Sequence, residues 1–95
     1  MKRIFVSGAS GNVGKLVVRN VIEREGHELA GGWCLEAGKD LGVLAGMAPA
    51  GVVSSADLAS GIRGSSPDVV VDFTSTAVLM NNLRVYADAG VDAVI

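Results

Sequence analysis

The chain has 95 residues and a formal net charge of −2; 49% of its residues are hydrophobic but only 4% are aromatic. That length allows one domain or part of one, burying roughly 60–70% of the surface its unfolded form exposes. The slight acidic balance excludes a broad electrostatic attraction to nucleic acid or an anionic membrane, and a core of Val, Leu, Ile and Ala suits a parallel α/β sheet.

A first strand is predicted over about residues 2–7, followed by a helix over about 11–24. Val13, Leu16, Val17, Val18, Val21 and Ile22 make a broad apolar face on that helix, and Gly26 is placed to stop it. A second strand, about residues 27–34, contains Gly31 and Gly32, which weaken strand preference but let a backbone or a ligand come close. Residues 35–53 lose clear periodicity and read as a glycine-rich loop with one short helical turn. Ser54-Ser55-Ala56-Asp57 fits the S-x-x-D capping signal for a short helix that uses Leu58, Ala59 and Ile62 and ends near Gly64.

After Pro67, Asp68-Val69-Val70-Val71-Asp72-Phe73 is β-branched without polar alternation, as expected of a strand central in a sheet and covered on both faces. Thr74, Ser75 and Thr76 offer caps for a further helix in which Leu79, Met80, Leu83, Tyr86 and Ala87 recur at helical spacing, with Gly90 as its stop. Residues 91–95 begin another strand. Strands alternating with helices imply right-handed βαβ units, hence an α/β, Rossmann-type doubly wound parallel sheet. Ligands bind such sheets beyond the strands' C-terminal ends. The chain stops before the last such loop, so an incomplete domain is expected.

Most functional information lies in Gly8-Ala9-Ser10-Gly11-Asn12-Val13-Gly14, between the first strand and the first helix. Phosphate must approach backbone N–H groups closely, and a helix start turns free N–H groups and a positive dipole end toward an anion. Gly11 and Gly14 match the last two glycines of G-x-G-x-x-G, Ala9 stands in place of the first, and Gly8 precedes it. In this reading Gly11 admits a pyrophosphate, Gly14 lets the helix pack on the sheet, and Ser10 and Asn12 add donors. The same spacing also serves as a tight turn without a ligand.

The acidic residue expected near the end of the second strand, where it would bind the adenine ribose, is not in place. Cys34 stands there, Glu36 follows, and Lys39 is available for a 2′-phosphate, so NAD and NADP both stay open. Cys34 is the sole cysteine; it can form no intrachain disulfide and no zinc site unaided, and it reads as a small packed thiol. His27 reads as a solvated strand residue. Asp72 fits a cap or loop hydrogen bond at least as well as chemistry, and Trp33 and Tyr86 read as packing groups. No catalytic or metal-ligating residue is assigned.

With the glycine loop, Gly38-Lys39-Asp40-Leu41-Gly42-Val43-Leu44-Ala45-Gly46 and Val69-Val70-Val71-Asp72-Phe73-Thr74 in order, then Asn81, Asn82 and Leu83, the chain resembles the dihydrodipicolinate reductase family over nearly all its length. The resemblance covers only that family's N-terminal cofactor domain. It implies an NAD(P)H-dependent oxidoreductase of diaminopimelate and lysine biosynthesis, which reduces a cyclic dicarboxylic imine. It places a pyrophosphate on residues 8–13 and puts Phe73 and Thr74 near the nicotinamide. It also implies a homotetramer built through a C-terminal substrate domain absent here, so the chain alone is expected to lack reductase activity. Two departures from the family are Cys34, where an acid is usual, and the lack of a basic residue at Leu35 or Asn12.

The chief rival is an atypical short-chain dehydrogenase-like or regulatory NADP-binding domain, for which the same glycine loop would serve. A CoA- or nucleotide-binding module without redox chemistry is a third reading. No targeting segment and no run of ~20 apolar residues is present in the sequence, so a cytoplasmic protein is expected, with a nicotinamide dinucleotide as its partner and neither nucleic acid nor membrane.

Overall fold

The computed structural model describes residues 2–74 and 76–94, giving the backbone alone for residues 76–79. Strands β1 (Lys2–Ser7), β2 (His27–Trp33), β3 (Ser54–Ser55), β4 (Val69–Asp72) and β5 (Asp92–Val94) form one parallel sheet in the order β3-β2-β1-β4-β5. Between them run helices α1 (Asn12–Glu23), α2 (Leu41–Leu44), α3 (Leu58–Ser65) and α4 (Thr76–Ala89).

Side chains of β1 alternate between two cores, as the strand period of two requires. Ile4 and Val6 pack with Val18 and Val21 of α1, Leu29 of β2, and Leu41 and Ala45. Phe5 faces the other way, into Leu58, Ile62, Val70 and Tyr86. Helices α1 and α2 therefore cover one face of the sheet and α3 and α4 the other. This is the doubly wound arrangement.

Gly11 and Arg24 are the caps of α1, not members of it, and Gly26 follows with φ +84°. Its buried face is narrower than expected. Gly14, Val18 and Val21 are buried and Val17 and Ile22 half-buried, but Val13 and Leu16 point to solvent, because Gly14, Val18 and Val21 set the contact line. In β2 the register slips, Ile4 pairing with Leu29 but Phe5 with Gly31, so Ala30 is the extra residue of a bulge. The close approach at the paired glycines comes from the protein itself. A Cβ on Gly31 would stand 3.1 Å from the Phe5 ring, and one on Gly32 would stand 2.9 Å from Leu41.

Ser54 and Ser55 are not a helix cap but strand β3, paired with Gly32 and Trp33. The Ser54 hydroxyl donates to the Glu36 carbonyl at 2.5 Å and accepts from the Lys39 amide at 3.1 Å, so it is committed elsewhere. Asp57 caps α3 instead, accepting from the Ser60 amide at 3.0 Å. The helix passes Gly64 and ends at Ser65, with Ser66 in the left-handed conformation at φ +48°. The short helical turn in the glycine-rich loop is α2, whose N-cap is Asp40.

Strand β4 is interior to the sheet, with Val70 fully buried, while Val69 and Val71 are only half covered. Of the α4 residues expected inside, Tyr86 is buried; Met80, Leu83 and Ala87 are exposed. The proposed cap Ser75, the Leu79 side chain and Ile95 lie outside the described residues. Gly90 ends α4 with φ +69°. Among the described residues no helix is long and apolar enough to cross a membrane.

Candidate functional site

Strand β1 lies at the middle of the sheet, and the chain leaves it toward β2 on one side and β4 on the other. Open α/β sheets bind ligands in the crevice at such a switch point. The loop between β1 and α1 sits there. Gly8 donates its amide to the Trp33 carbonyl at 2.8 Å, Ala9 donates to the same oxygen at 3.1 Å, and Gly11 donates to Gly8 at 3.2 Å. Beyond them, among the described residues, the amides of Ser10, Asn12, Val13 and Gly14 meet no intramolecular acceptor, and no side chain caps α1. Those of Asn12, Val13 and Gly14 are unsatisfied donors of the α1 start, and Ser10 adds one from the loop before its cap.

The three glycines of this loop have different physical reasons. Gly8 holds φ +86°, and a Cβ on it would lie 3.1 Å from the Phe73 carbonyl. A Cβ on Gly14 would stand 1.9 Å from the Gly8 carbonyl oxygen. Both are required by the fold itself. Gly11 is different, because its nearest neighbour would be the Gly8 oxygen at 3.5 Å, an ordinary contact, and its backbone is extended. Nothing in the protein demands a glycine there.

A cleft of about 330 Å³ opens beside this loop, lined by Gly8, Ser10, Gly11, Trp33, Cys34, Leu35, Phe73 and Thr74. Six of the ten residues predicted as a cofactor site thus meet around one space. Ala9 is buried beneath it, Gly14 is packed against the loop, and Asn12 and Val13 are exposed at the start of α1. Trp33 and Leu35 belong to the lining but were not predicted for it; their place at the end of β2 was the available signal. Leu35 is 90% exposed and Phe73 41%, so the rim carries two apolar groups facing water. Grooves of about 450 and 500 Å³ border α3, but neither touches the glycine loop; size alone would choose differently from chemistry.

Cys34 lines the cleft yet is buried, and its thiol donates to the Glu36 carbonyl at 3.2 Å. On the opposite side, Phe73 donates its amide to Ser7 at 3.0 Å, which seats the 73–74 segment against the end of β1. The Asp72 carboxylate beneath accepts from the Thr74 amide at 2.7 Å, the Thr74 hydroxyl at 2.5 Å, Asn82 at 3.2 Å and the Tyr86 hydroxyl. Burial pushes this carboxyl up, but the Thr74 and Tyr86 hydroxyls, the Thr74 amide and Asn82 outweigh it and hold its pKa below the ordinary 3.8. Tyr86 is pushed up, first by burial and then by its bond to Asp72. The Ser7 hydroxyl is buried with no partner in hydrogen-bond geometry, though it lies near enough to Tyr86 to oppose that rise.

A family model described as dihydrodipicolinate reductase, N-terminus, matches residues 2–95. The chain belongs to the dihydrodipicolinate reductase family. Within that family, this N-terminal region is the NAD(P)-binding domain. The chain is 38% identical to the 4-hydroxy-tetrahydrodipicolinate reductase of Moorella thermoacetica, over 98% of its own length and 35% of the relative's. It is 40% identical to the enzyme of that name from Methanococcoides burtonii, over 95% and 35%.

Among solved structures, an amine dehydrogenase from Mycobacterium smegmatis matches with a TM-score of 0.85 and 28% identity, over 97% of this chain and 28% of that one. A dipicolinate-bound dihydrodipicolinate reductase from a Paenisporosarcina species matches with a TM-score of 0.78 and 25% identity, over 98% and 36%. The chain spans about a third of the length of the reductases it matches.

Proposed function

We propose that this chain is the cofactor-binding part of a 4-hydroxy-tetrahydrodipicolinate reductase, which reduces a cyclic dicarboxylic imine with NADH or NADPH. The observation that carries the reading is the row of amides at Ser10, Asn12, Val13 and Gly14 without acceptors of their own, beside a Gly11 that the fold does not require. A diphosphate fits such a row, since it supplies the missing acceptors and occupies the space a side chain would fill.

In this reading residues 8–14 hold the diphosphate, Cys34 and its neighbours border the adenine ribose, and Phe73 and Thr74 flank the nicotinamide end. A bound reduced nicotinamide supplies the hydride; the chain's own residues bind and orient it. With the Cys34 thiol turned toward Glu36 and no carboxylate in the cleft lining among the described residues, NADH and NADPH both stay open. Among the described residues the lining also carries no carboxylate, imidazole or amine to polarise an imine. In this reading catalysis draws on groups from another domain, and the parent is a cytoplasmic homotetramer joined through it.

The family match over residues 2–95 favours the reductase over a short-chain dehydrogenase-like domain. The amine dehydrogenase neighbour supports a second reading, in which the same cradle serves an amine-oxidising parent. Titrating the chain with NADH and with NADPH tests cofactor binding, and assaying it on the imine tests its expected inactivity. Absence of binding to either dinucleotide would remove the basis of the proposal.

A further inference from the structure

Behind the cleft lies a group of polar side chains that cofactor binding as described does not use. Asp72 and Tyr86 are each 2% exposed, and Asn82 is buried beside them. One carboxylate oxygen of Asp72 takes the amide and hydroxyl protons of Thr74, and the other takes those of Tyr86 and Asn82. Asn82 also donates to the Thr74 hydroxyl oxygen at 3.2 Å. An ionised carboxylate only accepts, which fixes the Asn82 amide with its nitrogen inward.

A hydroxyl has one proton to donate and two lone pairs. Thr74 gives its proton to Asp72 and one lone pair to Asn82. A single acceptor position is left, with a negative charge behind it. Thr74 thus repels an anion and matches a neutral N–H or O–H donor. The two sides of the cleft are opposite in kind, with bare donors along the glycine loop and a committed acceptor at Thr74.

We propose that Tyr86 and Asn82 are positioning residues, which act through Asp72 to hold Thr74 as an acceptor for the carboxamide N–H of the cofactor's nicotinamide end. This rests on the dinucleotide reading above. Tyr86 touches no ligand; it keeps Asp72 and Thr74 in the one arrangement that leaves this lone pair free.

ADP-ribose, which has the adenine half and diphosphate of NADH but no nicotinamide, separates the two ideas. Titration of the chain and of Tyr86→Phe with both ligands should show NADH weakened about three- to tenfold by the substitution, with ADP-ribose unchanged. Thr74→Val should produce the same selective loss, and the double variant no further loss, because both changes remove one coupled interaction. The proposal is overturned if Tyr86→Phe binds NADH like the unaltered chain, if both ligands weaken equally, or if the losses from the two substitutions add. Failure of the unaltered chain to bind either ligand would instead overturn the dinucleotide reading itself.

Discussion

The place where a Gly14 Cβ would be lies 1.9 Å from the carbonyl oxygen of Gly8, so the two glycines lock the glycine loop onto the first turn of α1. Any side chain at residue 14 must push backbone against backbone. We therefore predict that Gly14→Ala costs about 1–3 kcal/mol, despite alanine's better helix propensity, since the obstacle cannot rotate away. For a domain this size that is a fall in Tm of about 4–8 °C per kcal/mol, measurable by thermal unfolding.

Gly11 should behave in the opposite way. Its extended backbone and open surroundings accept valine, so Gly11→Val is expected to keep its Tm within a few degrees while reducing NADH affinity at least about tenfold. Paired melting and titration curves check both halves. Unchanged affinity would mean that no ligand presses against this position.

Acid and alkali should act on the same buried pair from opposite sides. The Asp72 pKa is lowered in the folded chain, so its contribution is complete above the unfolded carboxyl value of about 3.9 and is lost as pH falls through the lower folded value. The Tyr86 pKa is raised above 10.0, so its contribution is complete below about pH 10 and is lost as pH climbs toward the folded value. Tyr86 is the only tyrosine. Tyrosinate absorbance should thus stay low in the folded chain above pH 10 and rise together with unfolding. Early ionisation without unfolding would contradict the pairing.

Asp40 carries the largest set of side chain to backbone bonds in the loop before β3. Its carboxylate accepts from the amides of Gly42, Val43, Ala50 and Gly51 at 2.8 to 3.1 Å, and these bonds, Ala50 first, hold its pKa below the usual value. Asp40→Ala should lower Tm and speed hydrogen exchange at Ala50 and Gly51, with Asp40→Asn in between because it keeps one acceptor oxygen. Equal exchange in all three proteins would show that the loop holds its shape without the carboxylate.

That bond set also marks where sequence reading stops. The first βαβ unit was legible because Ile4 to Val6, three glycines and the Val18-Val21 spacing each leave a local pattern. A carboxylate joining residue 40 to residues 50 and 51 leaves none. Strand β3 was misread because two serines carry no period, while Ser54 and Asp57 imitate a capping pair. Val13 and Leu16 were assigned inward because apolarity alone does not say which part of a wide stripe meets the sheet. At the site, the glycine loop was readable from its place between a strand and a helix, whereas Phe73 and Thr74 were singled out only through the family resemblance. Tyr86 was correctly read as packed, but its bond to Asp72 spans fourteen positions and depends on how α4 lies on the sheet.

The cleft draws its walls from three stretches far apart along the chain, residues 8–11, 33–35 and 73–74, which meet only when β1 sits between β2 and β4. A molecule seated there is consequently a fastener as well as a passenger. An unfolded chain cannot offer it that surface, so occupancy draws the folding equilibrium by mass action, adding about 2.7 kcal/mol at a hundredfold excess over Kd. A small domain with thirteen glycines gives up much backbone freedom when it orders. Saturation with its ligand would return part of that loss.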